Sequence, residues 1–358
     1  MKETSHAADD AGRDRREFLQ TSGFVGAGLV AAAAARGADP IPNPLDLTNV
    51  GPDKIPLKPF GKTKERVSVI GLGGHTLGLA PTLKEAVAIA HEAIDAGVNF
   101  FDNAWEYHDG KSEEWMGEAL KGRRDKVFLM TKVCTHGRDK AVAMKQLDES
   151  LKRLKTDHLD LWQVHEVVYD NDPDRHFAKG GVIEALDEAK KQGKVRYVGF
   201  TGHKHPDIHL KMLAHDYPFD AVQMPLNPFD GTYRSFATHV LPVLNKRGIA
   251  GLGMKSLGGN GRPVLKGIVT VEEALRYAMS LPVATTISGI DSLAVLRQNL
   301  AIARGFKPMT ADEIATLRAR CAAAAGDGHL EMYKSTVKYD GDIGREQHGF
   351  PKQKEMPV

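Results

Sequence analysis

VNFFDNA (98–104), KVFLMTKV (126–133) and LDLWQVHE (159–166) are the stretches that decide the fold, because each is a short apolar run that ends in polar residues. Runs of this length that are rich in Val, Phe and Leu are typical of strands buried on both faces of a parallel sheet. Longer amphipathic segments separate the three runs. The pattern therefore predicts successive βα units and a parallel α/β fold.

Five further runs continue this alternation through the chain. They are VSVIGLG from Val67, VRYVGFTG from Val195, FDAVQMPL from Phe219, GIAGLGM from Gly248 and VATTISGI from Val283. Successive runs start roughly 24 to 36 residues apart, which is about the length of one strand, one helix and two loops. Eight alternations favour a single closed (β/α)8 TIM barrel, with an open doubly wound sheet as the alternative.

Helix signals lie between the runs. The segment TLKEAVAIAHEAIDAG from Thr82 stops at Gly97, and the segments from Asp139 and Val271 share its helical period. One face of the first segment carries Ala86, Ile89, Ala90, Ala93 and Ile94. Before the first run, KPFGKTKERV contains a Gly-Lys turn and predicts a hairpin that covers the floor of the barrel.

The overall charge argues against a polyanionic partner. The chain has 48 basic and 46 acidic residues, a net charge of +2, so it has no broad field of one sign that would hold nucleic acid or a membrane surface. Its 2 cysteines, Cys134 and Cys321, lack the spacing of thiolate metal sites. We therefore expect a small-molecule partner, no nucleic acid and no metal.

The first 38 residues resemble a twin-arginine (Tat) export signal. Arg15 and Arg16 precede Phe18, Leu19 and the run TSGFVGAGLVAAAAA, which carries no charge. At about 15 residues the run is too short for a stable membrane span, and its small residues favour cleavage near its end.

This resemblance implies export through the Tat machinery to the periplasm or the extracellular space, with cleavage near Ala35 or Ala38 and no stable membrane span afterwards. The alternative interpretation is an amphipathic N-terminal helix. Residues 39–58 are rich in proline, which blocks helix continuation, and predict a linker. The barrel is then predicted at residues 59–309.

Four polar residues follow three consecutive strands. Asp102 ends the second predicted strand, Tyr107 lies five residues later in the loop, and Lys132 and His165 end the third and fourth strands. Each alone is commonly structural, as a helix cap, a packing residue or a solvent-facing group. Because neighbouring strands of a barrel end at one rim, where barrel active sites lie, we expect the four to converge.

Convergence of these four groups predicts proton transfer to a carbonyl oxygen. A tyrosine hydroxyl is a weak acid at neutral pH, and we expect the Lys132 ammonium to lower the pKa of Tyr107. Asp102 supplies the charge that balances Lys132. His165 is expected to donate a hydrogen bond to the carbonyl and to share in proton transfer.

The order and spacing of these residues resemble the tetrad of the aldo-keto reductase family. The phrases VGFTG, VQMPLN and ALRYAMSLPVATTISG extend the resemblance over residues 59–305. It implies an oxidoreductase that reduces an aldehyde or ketone with hydride from NAD(P)H, reversibly, with Tyr107 as the general acid.

The resemblance also implies where the cofactor binds. The family's nicotinamide contacts map to Thr201, Gly202 and Gln223, although Gly202 lacks the usual amide, and Met254 takes the place of the usual stacking aromatic residue. The full set of expected cofactor contacts is Thr201, Gln223, Met254, Lys255, Ser256, Leu257, Gly289, Gln298 and Asn299. Lys255, Ser256 and Leu257 lie in a glycine-rich loop suited to binding a pyrophosphate, with a simple turn as the alternative interpretation. Gln298 and Asn299 are expected to contact the adenine.

The positions that often hold the 2′-phosphate of NADPH are Gly289, Ile290 and Val295 here, none of which has a side-chain donor. Arg297 lies close in sequence and is a possible replacement. The sequence therefore leaves the preference between NADH and NADPH open.

Two other functions remain open at this point. His203 begins HKHPDIH, which together with Lys132 and His165 suggests a barrel metallohydrolase. A dinucleotide-binding barrel without turnover, acting as a redox sensor or partner subunit, is the second alternative. Residues 310–358 begin as a helix and continue as a polar tail, a segment that in the family often walls the substrate pocket.

Overall fold

The computed structural model describes residues 41–134, 139–347 and 351–355. The predicted export signal, residues 1–38, lies outside these described residues. The strands are β1 (Leu57–Pro59), β2 (Arg66–Ser68), β3 (Ile70–Gly73), β4 (Phe100–Asp102), β5 (Phe128–Val133), β6 (Leu159–Val164), β7 (Val195–Thr201), β8 (Ala221–Pro225), β9 (Ala250–Met254) and β10 (Thr285–Gly289).

The strands β3 to β10 form a closed parallel barrel. Each of the eight apolar runs contains one of them, and each strand pairs with the next in chain order. β10 then returns to pair with β3, with Thr286 opposite Ile70. This closure confirms the predicted (β/α)8 barrel over the open sheet, in which the last and first strands would not meet.

Helices alternate with the barrel strands. They are α1 (Gly74–Leu77), α2 (Leu83–Asp95), α3 (Lys111–Ala119), α4 (Lys140–Leu154), α5 (Asp172–His176), α6 (Val182–Lys191), α7 (Pro206–Ala214), α8 (Phe236–His239), α9 (Leu241–Arg247), α10 (Arg262–Leu265), α11 (Val271–Ser280), α12 (Leu293–Ala303), α13 (Ala311–Ala325), α14 (Met332–Ser335) and α15 (Asp342–Gln347). None of the helices in the described ranges has the length and apolar character needed to cross a membrane.

The helices predicted from sequence periodicity begin at side-chain caps. Thr82 accepts a hydrogen bond from the backbone N–H of Glu85 at the start of α2, and Asp139 caps α4 in the same way. Helix α2 buries the five apolar residues predicted for its inner face. Gly97 follows it with a φ of 98°, a conformation that glycine adopts without strain.

The predicted hairpin closes the floor of the barrel. Its strands β1 and β2 pair antiparallel, with Leu57 opposite Ser68. Phe60, in the turn between them, is fully buried, and its ring centre lies 4.7 Å from that of Phe128, the first residue of β5, and 5.7 Å from that of Tyr197. Aromatic packing at these separations seals the end of the barrel opposite the predicted site.

The segment predicted as a linker, residues 39–58, is folded over its described part. Thr48 pairs with Leu57 as an isolated bridge, Ile55 is fully buried, and Arg66 forms a 3.0 Å ion pair with Asp46. Proline prevented a helix here, as expected, but the apolar residues between the prolines pack on the barrel.

Lys58 is a buried amine in this hairpin. Its Nζ donates hydrogen bonds to the carbonyl oxygens of Met279, at 2.6 Å, and Leu281, at 3.1 Å, at the end of α11. Burial lowers the pKa of Lys58 to about 7. The folded protein therefore releases a proton that the unfolded chain keeps up to about pH 10.

The stability of Lys58→Met relative to the wild type should be greatest near pH 6 and should fall as pH rises from 7 to 10. Between pH 7 and pH 10 the Lys58 amine is protonated in the unfolded chain but not in the folded protein. Wild-type stability therefore rises with pH over this range, by on the order of 4 kcal/mol in total. Urea unfolding across this range measures the difference. Lys62→Met, which changes an exposed lysine of the same hairpin, is the control. A difference between wild type and Lys58→Met that does not vary with pH would contradict the assignment.

Candidate active site

A cavity of about 770 Å³ opens at the carboxyl ends of the barrel strands. Ten of the residues proposed from the sequence line it: Asp102, Tyr107, His165, Thr201, Gln223, Met254, Lys255, Ser256, Leu257 and Gly289. Lys132 lies directly beneath the cavity wall, bonded to two residues of this set. The rim of the barrel therefore brings together most of the predicted site.

Lys132 is the centre of the polar cluster. Its side chain is 1% exposed, and its Nζ donates to Asp102 Oδ1 at 2.5 Å, to the carbonyl oxygen of Asn103 at 2.7 Å and to Tyr107 Oη at 3.3 Å. These three acceptors match the three protons of an ammonium group. The buried charge is thus compensated by Asp102 and held against the phenol oxygen.

Tyr107 is positioned by an unusual turn after β4. His108 and Asp109 have φ values of 54° and 58°, in the left-handed region, so the chain turns sharply after Tyr107. The tyrosine ring packs edge-on against two imidazoles, with ring centres 5.7 Å away at His165 and 5.2 Å away at His75. The turn and the two rings together direct the hydroxyl towards Lys132.

The pKa of Tyr107 moves in the direction opposite to the expected one. Burial raises this pKa well above its ordinary value, and the carboxylates of Asp102 and Glu106 add to the rise. The prediction of a lowered pKa is wrong for this geometry, because burial of the phenol outweighs the Lys132 ammonium, whose charge Asp102 offsets. The phenol consequently stays protonated at neutral pH.

His165 follows β6 and faces Tyr107. Its backbone N–H donates to the carbonyl oxygen of Val133 at 2.9 Å, which ties it to the end of β5. Its ring Nδ1 contacts Oε1 of Glu106. Glu106 was not proposed from the sequence, although it immediately precedes Tyr107.

The side of the cavity formed by β7 and β8 presents Thr201 and Gln223. The Gln223 amide oxygen accepts from Gln163 Nε2 at 3.1 Å, which fixes its orientation. Gly202 has no space for a side chain, because a Cβ there would lie 2.2 Å from the carbonyl oxygen of Val167. The amide missing at Gly202 is therefore a consequence of how closely β7 approaches the loop after β6.

The loop after β9 supplies a cation to the cavity. Lys255 has a φ of 55°, and its Nζ lies 4.9 Å from the ring centre of Tyr339 and 3.4 Å from that residue's hydroxyl. Ser256 follows it and is buried, and Gly258 and Gly259 take left-handed conformations. An ammonium, a hydroxyl and a flexible backbone form a donor set that fits a diphosphate.

The two residues predicted to contact the adenine stay a prediction, since they lie apart from the cavity lining. Asn299 is buried, and its Nδ2 donates to Ser288 Oγ at 3.0 Å, while Gln298 lies on the exposed face of α12. Neither residue lines the cavity. Arg297 forms a two-bond ion pair with Glu92 of α2, at 2.8 and 2.9 Å, so its guanidinium already has an anionic partner.

The C-terminal tail forms part of the cavity wall through Tyr339, Gly341 and Asp342. A buried ion cluster secures it. Lys334 Nζ lies 2.7 Å from Asp230 Oδ1 and 3.0 Å from Glu331, and these side chains are at most 1% exposed. Breaking such a cluster leaves uncompensated buried charge, so the tail is firmly attached to the loop after β8.

The histidines of HKHPDIH do not assemble with His165. His203 lines the cavity, but His205 caps α7, and His209 is fully buried against Phe200. Within the described ranges, His, Cys, Asp and Glu side chains form no group of three or more arranged to hold a metal ion. This placement does not favour the metallohydrolase alternative.

Several lining residues were not proposed from the sequence: His75, Thr76, Glu106, His108, Cys134, Glu166, Tyr339 and Asp342. Cys134 and Glu166 lie at or just beyond the ends of predicted strands, where the barrel rule places functional residues. Tyr339 and Asp342 lie far along the chain from any strand, and no local signal marked them.

Comparison with known proteins gives the same family as the sequence motifs. The sequence profile of the Aldo/keto reductase family matches residues 69–262. An uncharacterised oxidoreductase, YqkF of Bacillus subtilis, is 27% identical, over 72% of this chain and 94% of its own length. L-galactose dehydrogenase of Arabidopsis thaliana is 27% identical, over 73% of this chain and 92% of its own.

Solved structures show the same fold. Aldo-keto reductase AKR11C1 from Bacillus halodurans, in its holo form, superposes with a TM-score of 0.63 and 25% sequence identity. The alignment covers 77% of this chain and 99% of that structure.

Proposed function

As a member of the aldo/keto reductase family, this chain is an NAD(P)H-dependent enzyme that reduces carbonyl compounds, and we propose that Asp102, Tyr107, Lys132 and His165 carry out its proton transfer. One observation carries this assignment. Lys132 joins the Asp102 carboxylate to the Tyr107 hydroxyl at the rim of the cavity, at 2.5 and 3.3 Å. This arrangement favours neither the non-catalytic nor the metallohydrolase alternative.

Each member of the cluster has a distinct task. The substrate carbonyl oxygen accepts a hydrogen bond from His165 and takes the proton of Tyr107. Lys132 stabilises the phenolate oxygen of Tyr107 after its proton has been transferred. Asp102 keeps Lys132 charged. When bound, NAD(P)H supplies the hydride that completes the reduction of the carbonyl carbon to an alcohol.

The cofactor is held by the opposite half of the rim. The Gln223 and Thr201 side chains, which offer an amide and a hydroxyl, fit the carboxamide of a nicotinamide ring beside Met254. Lys255 and Ser256 fit the diphosphate. In this proposal the nicotinamide ring lies between the two halves of the cavity.

Tyr107→Phe should lose most turnover while it keeps its affinity for NAD(P)H, because the substitution removes the proton donor and leaves the cofactor side unchanged. General acid catalysis typically contributes about 10²–10⁴-fold. Steady-state kinetics and a cofactor titration of the same preparation measure the two effects. Retention of more than about a tenth of wild-type turnover would remove Tyr107 from its proposed role.

Discrimination between NADPH and NADH should be weak. Gly289, Ile290 and Val295 provide no side-chain donor, and Arg297 is already paired with Glu92. A 2′-phosphate therefore lacks the charge-assisted hydrogen bonds that favour it. Measurement of kcat/KM with both cofactors tests this. A preference for NADPH above about a hundredfold, or roughly 2.7 kcal/mol, would show that another group binds the phosphate.

We further propose that residues 1–38 are a Tat signal and that the enzyme acts outside the cytoplasm. The paired arginines followed by a short apolar run support this interpretation. Tat export moves folded proteins, which fits an enzyme that loads its cofactor before export.

Replacing Arg15 and Arg16 together with lysine should retain the protein in the cytoplasm in an active form, because the export machinery reads the arginine pair as an address. Fractionation followed by an activity assay of each fraction measures this. Recovery of the variant outside the cytoplasm at the wild-type level would rule out the Tat interpretation.

A further inference from the structure

The loop that carries Tyr107 is supported by a side chain from a helix further along the chain. Arg153, in the last turn of α4, donates from Nη1 to the carbonyl oxygen of Trp105 at 2.9 Å. Its guanidinium carbon also lies 5.5 Å from the centre of the Trp105 ring. Arg153 therefore contacts both the backbone and the side chain of a residue two positions before the proposed proton donor.

The same guanidinium supports the loop where it returns to the barrel. Gly110 has a φ of 90°, and a Cβ at this position would lie 2.5 Å from Arg153 Cζ. Any larger residue would collide with the guanidinium, whereas glycine lets the backbone pack directly against it. Residues 105 and 110 thus both contact Arg153, and Tyr107 lies between these two points of support.

A buried carboxylate in turn fixes the guanidinium. Glu113 Oε2 lies 3.2 Å from Arg153 Nη1, and the Glu113 side chain is fully buried. Glu113 Oε1 accepts a hydrogen bond from Thr131 Oγ1 at 2.6 Å. Because Thr131 precedes Lys132 in β5, these contacts link the strand that carries the ammonium to the loop that carries the phenol.

The backbone of Trp105 transmits this support to Tyr107. The Trp105 N–H donates to the carbonyl oxygen of Lys132 at 3.1 Å, while its own carbonyl oxygen accepts from Arg153. The Tyr107 N–H then donates to the carbonyl oxygen of Ala104 at 3.1 Å, in the same turn. Tyr107 Oη lies 3.3 Å from Lys132 Nζ, at the long end of the hydrogen-bond range, so a small shift of the loop would separate them.

We propose that Arg153 is a positioning residue for the reduction, which holds the loop of residues 105–110 so that the Tyr107 hydroxyl stays within reach of Lys132 and of the substrate carbonyl. This inference rests on the proposed function, since it assumes that Tyr107 is the proton donor. Arg153 lies outside the cavity lining, so its effect on the reaction passes through the loop. Misplacement of a reacting group by about 1 Å can cost on the order of 10²-fold in rate.

The test is a double-mutant cycle between Arg153→Met and Tyr107→Phe. Turnover is measured with the carbonyl compound that the wild type reduces fastest, and it is expressed per NAD(P)H-binding site so that inactive protein is not counted. Arg153→Met should lower kcat by at least about tenfold in the wild-type background, with an unchanged Kd for the cofactor. In the Tyr107→Phe background it should change the residual turnover by less than about twofold, because no hydroxyl remains to be positioned.

Arg124→Met is the matched control. The Arg124 side chain is 20% exposed, against 22% for Arg153, and it pairs at 2.9 Å with the buried carboxylate of Asp160 at the floor of the barrel. This variant should lose stability and keep the wild-type kcat per site. An equal loss of kcat on Arg153→Met in both backgrounds would overturn the proposal, because Arg153 would then act on the enzyme as a whole.

Two further comparisons keep the test decisive. If Arg153→Met does not fold, Arg153→Lys replaces it, since an ammonium keeps the charge beside Glu113 but not the planar contact under Gly110, and a wild-type kcat would then overturn the proposal. If the residual turnover of Tyr107→Phe is too slow to measure, Arg153→Met and Arg124→Met are compared directly, and equal kcat per site would count against it. A Tyr107→Phe single variant that keeps more than about a tenth of wild-type turnover would instead contradict the proposed function itself.

Discussion

A lysine ammonium that is almost completely withdrawn from water needs an anion beside it, and the pairing of Lys132 with Asp102 meets this requirement at the rim of the barrel. The pair joins the ends of two adjacent strands, β4 and β5, so its geometry follows from the parallel pairing of these strands. The loop that carries Tyr107 leaves from the same strand end. The position of Tyr107, the proposed proton donor, therefore depends on a charge compensation that neither strand provides alone.

Most of the barrel could be predicted from the sequence because its signals are local. Each strand is a short apolar run, and α2, α4 and α13 begin at Thr82, Asp139 and Thr310, whose side chains accept hydrogen bonds from the first turn. Strand ends in a barrel all reach one rim, so the residues that follow them could be placed together without coordinates. The four residues proposed for proton transfer were grouped in this way.

The remaining features depend on distances between distant parts of the chain. The direction of the pKa change at Tyr107 depends on how deeply its ring is buried and on how close the Asp102 carboxylate lies. Asn299 and Gln298 are adjacent in α12, and the rotation of about 100° between consecutive helix residues separates a buried amide from an exposed one. The ion cluster at Lys334 holds the tail residues at the cavity wall. No periodic pattern in the sequence predicts this cluster.

The attachment of this tail has a consequence for the order in which the enzyme is made. The ribosome completes the eight strands at Gly289 well before it adds Lys334, and Asp230 meanwhile accepts hydrogen bonds from Ser235 and from the backbone of Phe236 and Ala237. The loop after β8 can therefore shape its acidic receptor before the tail is made. A chain truncated before Lys334 would leave the buried carboxylate of Asp230 without its cation, so it would lose stability together with the wall of its cavity.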